Sequence, residues 1–167
     1  MKDLIIEQIR KAKDEAVSWA NHEIKAIVVK YQGRKDKKQL LEAELLKAKE
    51  FQDSAVGNGY INSLAPGIAT DEELIQTIAN YYLTCKFLRP NPTTGWTDET
   101  TLKYVHDDSL IFLRRYFLVK YLTMLINSSQ LEEDDSLPEN IVIPAEHKSD
   151  FVFLFRGSDH IAKLFIN

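Results

Sequence analysis

A single cysteine, Cys85, stands among the 167 residues. No intrachain disulfide can form, so the expected setting is a reducing one, the cytoplasm. Flanked by YYLT and KFL, Cys85 reads as a small buried hydrophobe. Metal-ligand spacing is also missing. There is no C-x-x-C or H-E-x-x-H pair, and His22, His106, His147 and His160 are scattered. Neither G-x-G-x-x-G nor G-x-x-x-x-G-K-[ST] occurs, and no G-x-S-x-G elbow is present. These absences predict no metal, no cofactor and no catalytic residue. The start, MKDLIIEQIRKAKDE, is charged from residue 2 and lacks an apolar core of signal length.

No long apolar run is free of charge. The nearest is Leu110–Ile126 (LIFLRRYFLVKYLTMLI), seventeen residues of which thirteen are apolar. Arg114, Arg115 and Lys120 interrupt it, which argues against a membrane span. At about 100° per residue these cations lie at roughly 0°, 100° and 240° and share no polar face. A helix apolar on nearly all sides is buried on nearly all sides. The segment therefore reads as a central helix around which the rest of the fold packs.

Hydrophobic residues make up 44% and charged residues 28%, as in an ordinary soluble globular domain. The formal charge of −4 is uneven: residues 1–56 carry +2 and residues 57–167 carry −6. That balance disfavours general nucleic-acid binding.

Along the chain, residues 3–31 read as a thin amphipathic helix with Ile5, Ile9, Ala12, Ala16, Trp19 and Ala26 in its stripe. Gly33 stops it. Residues 35–55 read as a second helix, with Leu41, Leu45, Ala48 and Ala55 on one face, and the pair forms an αα-hairpin. The stretch 57–69 reads as a loop. Thr70 and Glu73 match a capping box, opening a helix through Leu74, Ile75, Ile78, Tyr81, Tyr82, Cys85 and Leu88 that Pro90 ends. Thr97 is placed to cap a short helix over 98–105, and Asp107 or Asp108 to cap the central helix, 108–127. After an acidic connection, IVIP and FVFLF have strand composition. The final HIAKLFIN fits a strand or a short helix. The expected fold is mainly α: an N-terminal αα-hairpin packed with a helical bundle around a central apolar helix, and a small β element near the C-terminus. The expected parts are a hairpin over 1–56, a helical core over 57–130 and an α/β element over 131–167, together one domain.

Four groups of residues carry chemical interest. Arg114, Arg115 and Lys120, joined by His106, are candidates for an anion or ligand site, because a guanidinium fork matches phosphate or carboxylate. Lys35, Lys37 and Lys38 form a basic hairpin tip with Lys30 and Arg34. Trp96, beside Gly95 on a proline-stiffened loop, is a candidate partner anchor or a core plug. His106-Asp107 resembles the His-Asp pair of metal-dependent HD-type phosphohydrolases, but only in these two residues, and Arg156 with His160 falls short of a ribonuclease-toxin spacing. Neither carries a family over.

The first expectation is a protein-interaction module without catalytic activity, a regulator, adaptor or immunity-type protein. Its partner surface is Trp96 or Lys35, Lys37 and Lys38. The alternatives are an enzyme or binding domain for a phosphorylated or carboxylated small molecule, and nucleic-acid binding through the hairpin tip. A homodimer through the alanine-rich stripe stands beside a monomer.

Overall fold

A computed structural model describes residues 1–50, 54–58 and 70–127, together with the dipeptides Ile143–Pro144 and Phe165–Ile166. Among them the chain is mainly helical. The helices are α1 (Lys2–Tyr31), α2 (Lys37–Glu50), the single turn α3 (Ala55–Asn58), α4 (Asp71–Thr84) and α5 (Asp98–Ile126). The two dipeptides pair in parallel, which is too little to support the expected β element. The remainder of that element, the acidic connection, His147, Arg156 and His160 lie outside the described residues.

Two compact units are present: Met1–Ala16 with Gln52–Arg114, and Val17–Phe51 with Arg115–Asn167. In the first, α1 meets α4 through charge. Arg10 donates two hydrogen bonds to Glu72, at 2.8 and 2.7 Å, and the Lys13 ammonium lies 3.9 Å from buried Asp71. The Arg10 guanidinium holds the Glu72 carboxyl below its ordinary range. Thr70 accepts the Glu73 N–H at 3.1 Å, so the expected cap forms.

Asp108 ties α5 to α3 and α4. Its carboxylate, 8% exposed, accepts the Ala55 N–H at 2.7 Å, the Val56 N–H at 3.2 Å and the Tyr82 hydroxyl at 2.6 Å. Tyr81 donates to the Ala55 carbonyl at 2.9 Å. This corrects the expected break between 105 and 108. Helix α5 runs unbroken for 29 residues, and Asp108 caps α3 instead of its own helix. An aspartate inside a helix costs only about 0.7 kcal/mol in propensity, and the buried bonds outweigh that.

In the second unit, Gly33 takes φ +77° and ends α1 as expected. Tyr31 donates to Glu44 at 2.8 Å, joining α1 to α2. The α1 stripe differs from the expected one. Beyond Ala16, shared by both readings, it runs through Ala20, Ile24 and Ile27, while Trp19 is half-buried and Ala26 exposed. Ala12, Ala16 and Ala20 are fully buried within the chain, so the alanine stripe is not open to a second copy. Helix α2 is shorter than expected and keeps only Leu41 and Ala48 buried on its apolar face.

The central segment behaves as its composition dictates. Every residue from Leu110 to Ile126 is buried or half-buried. No helix among the described residues is long and apolar enough to cross a membrane.

Candidate interaction site

Helix α4 ends at Thr84, earlier than Pro90 alone would require. Cys85 is extended (φ −78°, ψ 106°), and a single 3-10 turn, Lys86–Leu88, follows. Arg89 must be extended because a proline follows it, and it is (φ −77°, ψ 144°). The chain therefore tightens before the proline. Leu88 stays in the core, while Phe87 leaves the helical stripe and stands 53% exposed. Cys85 is half-buried, not fully buried. Its thiol donates to the Tyr81 carbonyl at 3.4 Å, and burial pushes the thiol up.

The loop that follows is braced. Asn91 and Trp96 exchange backbone hydrogen bonds at 2.9 and 3.2 Å. The Asn91 side chain accepts the Thr93 N–H at 2.9 Å. Gly95 supplies the turn at φ +76°, a conformation that side chains resist. Trp96 Nε1 donates to Thr101 Oγ1 at 2.7 Å, and that hydroxyl donates to the Leu88 carbonyl. Thr97 accepts the Thr100 N–H at 3.3 Å and caps α5. One chain of hydrogen bonds thus fixes the loop, the 3-10 turn and the first turn of α5.

Three rings meet on this frame. Phe87 lies edge-on to Trp96 (6.4 Å between centroids, 78°) and to Tyr104 (5.4 Å, 87°), and Trp96 lies 6.2 Å from Tyr104. Such edge-to-face pairs add about 0.5–1.5 kcal/mol each beyond area burial. Tyr104 continues inward to Tyr82, 6.5 Å away. Burial pushes the Tyr104 hydroxyl up to about 12 and that of Tyr82 further still, with Asp108 adding to both. Trp96, one of the sequence candidates, is therefore a half-buried wall of this cluster, and Phe87 is its outer face. Sequence reasoning missed Phe87 and Tyr104. The available signal was that Phe87 falls off the Leu74–Ile78–Tyr82 stripe when the helical periodicity is continued to it.

The other candidates do not gather here. His106 bridges α1 and α5, with Nε2 3.1 Å from Glu15 and Nδ1 3.0 Å from Asp107. Both ring nitrogens face carboxylates. The carboxylates sit on opposite sides of the ring, so one metal ion cannot touch all three groups. No group of three metal-binding side chains occurs among the described residues. Arg114, Arg115 and Lys120 are each half-buried. The Lys120 ammonium lies 5.9 Å over the Phe117 ring, and burial lowers the proton affinity of Arg115.

At the hairpin tip Lys35 is exposed and Lys38 half-buried, but Lys37 is 5% exposed and is not open to a partner. Arg34 is paired with Asp36 through two 3.0 Å hydrogen bonds, and Lys30 lies 5.2 Å over the Tyr31 ring. These contacts reduce the positive field that the sequence alone suggests. No known protein family, curated protein sequence or solved structure matches the chain.

Proposed function

We infer that the protein is a non-catalytic interaction module, acting in a reducing compartment such as the cytoplasm, and that its protein partner docks on the Phe87–Trp96–Tyr104 surface. One observation carries this reading. Phe87 is 53% exposed although its ring is fixed by two aromatic neighbours on a braced frame. Its exposure leaves on the order of 1 kcal/mol of apolar burial unrealised, and a fixed ring loses little entropy on docking. Rigid aromatic side chains of this kind dominate binding energy at protein interfaces.

The test is quantitative capture of proteins from the native cell with wild type, Phe87→Ala and Lys35→Glu/Lys38→Glu. The expected result is that Phe87→Ala weakens capture about tenfold or more while the protein stays folded, its melting temperature lowered by the two lost ring contacts. The tip variant captures as wild type does. Equal capture by Phe87→Ala removes this surface from consideration.

A second reading is a domain for a phosphate- or carboxylate-bearing small molecule that uses half-buried Arg115, because a guanidinium fork matches such anions. Thermal unfolding with phosphates, nucleotides and dicarboxylates separates the two, because a ligand of the folded state raises the midpoint. The interaction reading expects a flat panel. A rise abolished by Arg115→Ala replaces it.

A further inference from the structure

From Leu74 to Thr97 the chain contains no aspartate or glutamate, and its charged residues there are Lys86 and Arg89. Both are exposed, and Lys86 precedes Phe87 directly. Lys103, also exposed, precedes Tyr104 on α5. Three of the nine cations in residues 57–167, a stretch of formal charge −6, thus lie within two residues of a ring of the cluster along the chain. The carboxylates nearest in the chain are Asp98 and Glu99 on one side and Asp107 on the other. Asp98 and Glu99 stand in the first turn of α5, where the helix N-terminus offsets negative charge. Asp107 is engaged by His106 at 3.0 Å.

The ring geometry narrows what fits. Centroids 5.4–6.4 Å apart, two pairs edge-on and the third tilted, leave no gap between the rings for a quaternary ammonium, and the cations near them in the chain would repel one. Base stacking needs several open ring faces, whereas Trp96 and Tyr104 are half-buried and only Phe87 is exposed.

We propose that this surface recognises an acidic amphipathic peptide segment of a partner protein. In it a large apolar side chain lies against Phe87, and aspartate or glutamate residues on either side meet Lys86, Arg89 and Lys103. Arg89 can hold a carboxylate with two parallel hydrogen bonds. The assignment rests on the interaction reading above and adds the chemistry of the partner.

The experiment is a selection from a random peptide display library on the full chain. Selected peptides are then titrated against wild type, Phe87→Ala and Lys86→Glu/Arg89→Glu, each checked by melting. The expected peptides carry a large apolar residue with Asp or Glu close on both sides. They lose about tenfold or more in affinity against either variant and weaken as salt is added. The charge-reversed protein alters two exposed side chains and serves as the folded reference should Phe87→Ala melt early. Peptides that need Phe87 but show no acidic excess overturn the acidic partner and leave the interaction reading standing. Peptides indifferent to Phe87 overturn both. Binding of a labelled oligothymidylate that depends on Phe87, Lys86 and Arg89 overturns the peptide in favour of a single-stranded nucleic acid.

Discussion

Asp108 accepts three hydrogen bonds in a buried position, so its side chain is a folding determinant. Asp108→Ala strands two backbone N–H groups and a tyrosine hydroxyl, at about 1–3 kcal/mol for each donor left unsatisfied. Tyr82→Phe removes one of these bonds and keeps the ring. Urea unfolding should therefore rank Asp108→Ala well below Tyr82→Phe and Tyr82→Phe below wild type. Equal stability of all three would refute the role given to Asp108. The same residues set an alkaline limit. Tyr82 and Tyr104 ionise near their ordinary 10.0 in the unfolded chain, but Tyr104 rises to about 12 in the folded one and Tyr82 rises further. A raised acid holds its proton longer in the folded state. The stability it confers is complete below pH 10.0 and is lost as pH climbs past that value. Melting temperature should fall from pH 10 upward, and less steeply in Tyr82→Phe. From sequence, Asp107 or Asp108 was read as the cap of the central helix. An aspartate caps whichever helix N-terminus lies in reach, and sequence spacing cannot distinguish α5 from α3.

The starts of α4 and α5 were legible because a cap is local. Thr70 and Thr97 each sit directly before their helix and hold an N–H three residues on. The end of α4 and the continuity of α5 were not legible, since both depend on partners elsewhere in the chain. At this scale the Trp96 loop is the sensitive element. Gly95→Ala places a Cβ in open space, so only the positive φ opposes it. The expected cost is about 1–2 kcal/mol, together with weakened docking on Phe87 because the loop is no longer held in one conformation. Circular dichroism melts and peptide affinity measure the two effects separately. An unchanged melt would show that the turn relaxes freely.

For the whole molecule, the question is which faces are already used. The alanines of α1 could be read as a surface for a second copy, yet Ala12, Ala16 and Ala20 are buried within the chain. Ala16→Leu should therefore overpack the fold and destabilise it by about 1–3 kcal/mol, independently of protein concentration. A variant as stable as wild type, or one whose loss depends on concentration, would return the stripe to the surface. The sequence by itself determined the mainly helical class, the Thr70 and Thr97 caps, the Gly33 stop and the burial of Leu110–Ile126, because periodicity, capping and apolar content act within a few turns of one helix. Tertiary structure alone decided which cations stay open, as at Lys35 against Lys37, and which aspartate serves which helix. It also decided that Phe87, Trp96 and Tyr104 meet. These outcomes depend on distances between residues far apart in the chain, and a linear pattern carries no distances.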